Sequence, residues 1–152
     1  MTRKGVCSLC AAAKRAIVSF SITTDLPGVL GSDFLKICRV LLRESSLVAG
    51  PPFAFISDVH VGSRVFLEKD FLRFVDWLNG KVGNEAQKAL ALKVKYLFVV
   101  GDVVDGVGVY PGQESELGIP DVYDQYRRVK ELLSLIRDDM RIIMCPGNHD
   151  AV

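Results

Sequence analysis

The sequence predicts an α/β fold with a mostly parallel or mixed sheet flanked by helices, and two observations carry that prediction. Three short runs are almost wholly apolar: Phe53-Ala54-Phe55-Ile56, Tyr96-Leu97-Phe98-Val99-Val100 and Arg141-Ile142-Ile143-Met144-Cys145. Between them lie stretches whose apolar residues recur at helical spacing. Continuous apolar strands that alternate with helices belong to a largely parallel sheet covered on both faces. A third observation bears on function. Each run ends in a polar cluster, and in open α/β sheets the working groups gather just beyond the carboxyl ends of the strands.

In chain order, residues 1–31 show no clear element. Asp33 to Arg43 has the pattern of an amphipathic helix, with Ser32 as a cap and Phe34, Leu35, Ile37, Val40, Leu41 and Leu42 on its apolar side. Gly50-Pro51-Pro52 marks a change of character and divides an N-terminal segment, residues 1–50, from residues 51–152. After the first strand a helix is predicted from Phe66 to Leu78, stopped by Asn79-Gly80. A second is predicted from Val122 to Ile136, with Val122, Tyr126, Val129, Leu132, Leu133 and Ile136 facing inward.

A chain of 152 residues suffices for one domain with a sizeable core. Its net charge of +1 exerts no global pull on nucleic acid, so DNA contact would need a local basic patch or a partner chain. Arg127-Arg128 and Lys130 form a small basic stretch that reads as solvated helix surface. Of the four cysteines, Cys7, Cys10, Cys38 and Cys145, the first two have CxxC spacing, but no second pair follows at a zinc-finger distance and reduced thiols are the default, while Cys145 in its apolar run reads as a small core residue. Lys14 and Arg15 interrupt the apolar stretch from Val6 to Ala13, and no uncharged run reaches the length of a membrane span. A soluble, cytoplasmic protein is expected.

The three strand ends deliver Asp58-Val59-His60, Gly101-Asp102-Val103-Val104-Asp105 and Gly147-Asn148-His149-Asp150. Carboxylate, imidazole and amide oxygen make a mixed ligand set that suits Mn²⁺, Fe or Zn²⁺ better than Ca²⁺ alone. Two metals about 3.5–4 Å apart can clamp a phosphoryl group and activate water, and a shared carboxylate holds cations that close. The i, i+2 spacing of Asp58 and His60 lets both side chains point the same way from an extended segment. Gly101 and Gly147 would permit tight turns beside the ligands.

These three motifs resemble the first three of the calcineurin-like metallophosphoesterase superfamily. The resemblance implies that Asp58 and His60 bind one metal, Asp102 bridges, and Asn148 binds the second. It further implies that His149 acts on the phosphate or leaving group with support from Asp150, while Asp105 orients the ligands rather than joining them. Phe55-Ile56-Ser57-Asp58-Val59-His60-Val61-Gly62-Ser63 narrows the likeness, as do Gly101 to Gln113 with its Tyr110-Pro111-Gly112-Gln113 segment and the closing Pro146 to Val152. Together they resemble the small-subunit family of the archaeal family D DNA polymerases. That resemblance implies a 3′→5′ exonuclease acting at a DNA 3′ end beside a large catalytic polymerase subunit. It also implies two divalent ions, Mn²⁺ first, with Fe, Zn²⁺ or Mg²⁺ as alternatives. The superfamily motifs alone also fit a general phosphoesterase or a non-catalytic scaffold subunit. The Tyr110–Gln113 segment and the intact motifs favour the exonuclease.

The family completes its site with further histidines downstream, whereas this sequence has two, His60 and His149. The C-terminal half of the fold is therefore expected to be missing, and residues 1–50 do not resemble the domain that precedes it in the family. Under-ligated metals bind weakly, and a truncated sheet exposes an apolar edge prone to aggregation. The 152-residue chain alone is expected to hydrolyse little DNA. Substantial Mn²⁺-dependent hydrolysis that disappears in Asp102→Ala would contradict this.

Overall fold

The computed structural model describes residues 41–43 and 52–150, with side chains described from Pro52 onward. Four strands form one sheet in the order β1 (Leu41–Arg43), β2 (Phe53–Ile56), β3 (Tyr96–Val100) and β4 (Arg141–Cys145). β2, β3 and β4 run parallel, with Phe55 opposite Phe98 and Phe98 opposite Ile143. β1 pairs antiparallel with β2, Leu42 opposite Ala54. The three predicted strands thus form with the predicted bounds. The helix predicted from Asp33 to Arg43 is corrected at its end, because Leu41–Arg43 is strand. Pairing there satisfies the outer backbone groups of β2, which would otherwise be a sheet edge. The rest of that helix lies outside the described residues, as do Cys7, Cys10 and Cys38.

Helices α1 (Glu68–Leu78), α2 (Glu85–Lys93) and α3 (Val122–Leu133) fill the two crossovers, with a 3₁₀ turn at Gln113–Glu116. α1 begins two residues later than predicted. Glu68 and Asp70 occupy its first turn, where carboxylates oppose the helix dipole, while Phe66 and Leu67 pack beneath it. α2 was not predicted, because its apolar residues form no stripe. Its signal is a capping box instead: Asn84 Oδ1 accepts from Gln87 N–H at 2.9 Å, and Gln87 Oε1 accepts from Asn84 N–H at 2.8 Å. α3 ends at Leu133 rather than Ile136, and its inward face differs from the prediction. Gln125 is fully buried, whereas Tyr126 is exposed.

The core lies on one face of the sheet. Ala54, Ile56, Leu97 and Val99 join Phe71, Phe74, Trp77 and Leu78 of α1, Ala91 of α2, and Val129 and Leu132 of α3. Successive parallel strands advance in one direction across the sheet, and right-handed crossovers then place both connections on the same side. Among the described residues the helices therefore cover this one face. The opposite face carries Phe53, Phe55, Tyr96 and Phe98, half-buried, with the Phe55 and Phe98 rings stacked 4.8 Å apart, Tyr96 stacked on Phe98 and Phe53 edge-on to both phenylalanines. Cys145 is half-buried on β4 rather than a core residue.

Arg137 ties the far end of this layer together. Its guanidinium donates to the carbonyls of Leu78 and Val94, to Ala91 at 3.1 Å and to Leu92 at 3.4 Å, where α1 and α2 end. A cation on helix C-terminal carbonyls satisfies orphan acceptors and opposes the dipole. Its Nε also donates to Asp139 at 2.7 Å. Replacing Arg137 by Met would strand several of these carbonyls, and chemical denaturation should show a loss of about 2–3 kcal/mol.

Candidate metal centre

The loops that follow β2 and β3 are laced together beyond the sheet. Asp58 N–H donates to Gly101 C=O at 3.2 Å, His60 N–H to Asp102 C=O at 3.0 Å and Val61 N–H to Val103 C=O at 2.9 Å. Asp105 N–H returns to Val61 C=O at 2.9 Å. Along this lace Asp58, His60 and Asp102 take positive φ of 56°, 52° and 53°. The extended conformation expected at Asp58 and His60 is therefore corrected: both are left-handed, with Val59 and Val61 buried beside them. Left-handed backbone is unfavourable for non-glycine residues and collects at functional sites.

That backbone brings ligand atoms of Asp58, His60 and Asp102 within 4.8 Å of one another. His60 Nδ1 lies 2.9 Å from Asp105 Oδ1, a carboxylate oxygen that can only accept. A proton therefore sits on Nδ1, and in the neutral ring Nε2 keeps its lone pair for a metal. A carboxylate behind a histidine in this way fixes its tautomer and raises its basicity as a ligand. Two carboxylates and an imidazole with Nε2 unprotonated are a chemically suitable donor set for a divalent cation.

His149 packs edge-on against His60, ring centroids 4.6 Å apart. Its Nδ1 lies 2.6 Å from the Asp105 carbonyl, so it too carries its proton on Nδ1 and keeps Nε2 free. His60, Asp105 and His149 are close enough to form a second metal-sized group. Their closeness is already accounted for by these two hydrogen bonds. Asn148 is exposed on the same loop, between Gly147 and His149.

Asp150 does something other than the sequence suggested. It does not support the His149 ring, which the Asp105 carbonyl does instead. Asp150 Oδ1 accepts from Val103 and Val104 N–H at 2.9 and 3.0 Å, and its Oδ2 accepts from Gly147 N–H at 2.7 Å. It is a clasp between the second and third motifs. Asp102 reciprocates, with Oδ1 accepting His149 N–H at 3.0 Å. The two glycines serve this contact differently. Gly101 has a φ of +81°, whereas Gly147 is needed for space: a Cβ there would lie 2.2 Å from Asp102 Oδ1.

A cleft of about 250 Å³ opens beside the two histidines, with Phe66, Tyr110 and Glu116 among its walls. Tyr110 donates to Glu116 at 2.7 Å, and that bond, with lesser help from desolvation and nearby carboxylates, pushes the phenol up to about 12. The basic stretch of α3 is occupied by carboxylates. Arg127 pairs with Asp124, and Arg128 pairs with Glu68 and Glu131. Two residues of the site region escaped sequence reasoning, the fully buried amides Gln113 and Gln125. Gln113 lies in a short 3₁₀ turn with no period to read, and Gln125 is a polar residue on the inward side of α3, where a search for apolar stripes passes it over. Among the described residues no helix is long and apolar enough to cross a membrane.

Metal-ligand geometry at the ends of parallel strands defines a class, and the sequence profile of the calcineurin-like phosphoesterases matches residues 51–152. The chain belongs to that family, which implies divalent metal ions. It is similar to the DNA polymerase II small subunit of Methanothermobacter thermautotrophicus, 57% identical over 98 residues that make up 64% of this chain and 20% of that protein. It is also similar to the DNA polymerase II small subunit of Pyrococcus furiosus, 51% identical over 139 residues, or 90% of this chain and 23% of that protein. That of Archaeoglobus fulgidus is 53% identical over 98 residues, 64% of this chain and 20% of that protein. The Pyrococcus likeness extends well before Pro51, into the segment where the sequence reading finds none. The chain spans about a fifth of the length of these relatives.

Gly147→Ala tests the clasp. The added methyl collides with the Asp102 carboxylate, so thermal or chemical unfolding should show a loss of about 2 kcal/mol or more from overpacking. Unchanged stability would mean that the two loops do not meet as described.

Proposed function

We propose that this chain is part of the small subunit of a replicative DNA polymerase, and that its site hydrolyses phosphodiester bonds at a DNA 3′ end as a 3′→5′ proofreading exonuclease. The observation that supports it most is the convergence of Asp58, His60 and Asp102 at adjacent strand ends with the free Nε2 of His149 beside them. The printed names of the relatives supply the setting of a DNA polymerase with a larger catalytic partner.

In this reading Asp58 and His60 hold one divalent ion, Asp102 bridges to a second, and Asn148 contributes to the second; Mn²⁺ is the favoured metal. Bound metal would supply charge compensation at the phosphoryl oxygens and a lowered pKa for the attacking water. The residues supply the rest. Asp105 keeps both imidazoles oriented with Nε2 outward. Water adds to phosphorus, the bond from phosphorus to the sugar 3′ oxygen of the preceding nucleotide breaks, and that oxygen takes up a proton. His149 would carry a proton on Nε2 as well as on Nδ1 for this step, and that N–H would donate to the departing oxygen. The Phe66–Tyr110 cleft accommodates the terminal nucleotide.

The test is hydrolysis of 3′-mismatched DNA by the full-length protein. Mn²⁺-dependent release of mononucleotides from the 3′ end is expected, reduced by about 10³-fold or more in Asp102→Ala. Hydrolysis limited to phosphomonoesters, or no hydrolysis together with no Mn²⁺ binding, would reject the reading, and the latter would favour a scaffold subunit.

A further inference from the structure

Gln113 opens the 3₁₀ turn and is fully buried, although its neighbours Gly112, Glu114, Ser115 and Glu116 are exposed. The turn closes on itself around it. Tyr110 donates to Glu116, and Ser115 Oγ donates to Gly112 C=O at 2.9 Å. Gly112 enters the turn at a φ of +85°. The outcome of this local construction is one amide aimed at the back of the site.

The orientation of that amide is fixed by what surrounds it. Val109 N–H, which can only donate, lies 2.9 Å from Gln113 Oε1. The Nε2 end must therefore face Asp105, and it donates to the Asp105 carbonyl at 2.9 Å, with the carboxylate Oδ2 a further 3.4 Å contact. The same carbonyl accepts from His149 Nδ1, and the same carboxylate accepts from His60 Nδ1. Gln113 thus grips both groups through which Asp105 orients the two histidines.

We infer that Gln113 is a positioning residue for His60 and His149, acting through Asp105. The inference deepens the proposed function and rests on its reading of these histidines as working side chains. It also gives the Tyr110-Pro111-Gly112-Gln113 segment a physical task. A glutamate of the same shape could not perform it, since its carboxylate would face the Asp105 carbonyl and carboxylate with no proton to donate.

Gln125 is the control. It is equally buried and also braces this loop, bonding Gly106 N–H at 2.9 Å, Gly106 C=O at 3.2 Å and Ile119 C=O at 2.9 Å. Its bond to Gly106 N–H holds the peptide whose carbonyl is that of Asp105, but none of these three bonds reaches the Asp105 carboxylate. A merely structural role predicts that Gln113→Met and Gln125→Met behave alike.

The experiment uses the full-length protein carrying ¹⁵N-labelled histidine. Ring-nitrogen NMR without metal reads the tautomers of His60 and His149, and Mn²⁺ titration reads affinity. In Gln113→Met we expect the fixed Nδ1–H tautomers to give way to averaged signals and Mn²⁺ affinity to fall about tenfold or more. Gln125→Met should lose stability and loosen at most the His149 tautomer, while keeping the His60 tautomer and the Mn²⁺ affinity near wild type. Gln113→Glu, which retains the acceptor for Val109, should match Gln113→Met and replaces it if the latter does not fold. Wild-type tautomers and affinity in a folded Gln113 variant would overturn the inference, as would equal losses of the His60 tautomer and of Mn²⁺ affinity in Gln125→Met. If the wild-type protein binds no Mn²⁺, the metal reading fails, and the tautomer comparison still decides the role of Gln113.

Discussion

The site depends on a backbone held where most residues resist going. Asp58, His60 and Asp102 all sit in left-handed conformations, each costing on the order of 1–3 kcal/mol. They stay there because the strand-end loops continue the hydrogen bonding of the sheet for several residues past its regular part. The sequence alternates accordingly. Val59, Val61, Val103 and Val104 are buried between the polar residues and peg each loop to the core. Burial of a valine is worth about 1.5–3 kcal/mol, a scale comparable with the strain beside it.

A second level of constraint joins the third motif to the second. Asp150 accepts from two amides of the Asp102–Asp105 loop, and Asp102 accepts from the amide of His149. Each carboxylate is thus held partly by the other loop, so neither loop keeps its shape independently. Behind them stands Asp105, only 6% exposed, whose carbonyl and carboxylate each receive one imidazole. A buried carboxylate is costly unless hydrogen-bonded, and here its bonds also aim two histidine nitrogens outward.

Much of this was legible in the residues, and the unread parts have physical causes. The three apolar runs became β2, β3 and β4 with their predicted bounds, although one face of β2 and β3 is only half-buried and β4 holds no fully buried residue. β1 was misread because Leu41 and Leu42 fit a helical stripe as readily as a strand, and only pairing with β2 decides between them. α2 was overlooked because it is a capped, weakly amphipathic helix whose signature is the Asn84–Gln87 box. At the site, the clustering of Asp58, His60 and Asp102 was readable from strand-end position. The left-handed backbone was not, since it arises from bonds between segments over forty residues apart. The family resemblance assigned Asp150 to the support of His149, whereas its amide partners come from a different loop as well as its own. Gln113 and Gln125 were invisible as buried residues because an apolar pattern does not mark polar side chains, either in the turn that holds Gln113 or on the helix that holds Gln125.

The central claim is that the ends of β2 and β3 form a divalent metal centre whose histidine is set by Asp105. Anomalous scattering from a crystal of the full-length protein soaked in Mn²⁺ tests it most directly. The account predicts a peak within coordination distance of Asp58, His60 Nε2 and Asp102, with His60 Nδ1 still on Asp105. A peak coordinated by Asp105 itself, or no peak near these residues at saturating Mn²⁺, would contradict it.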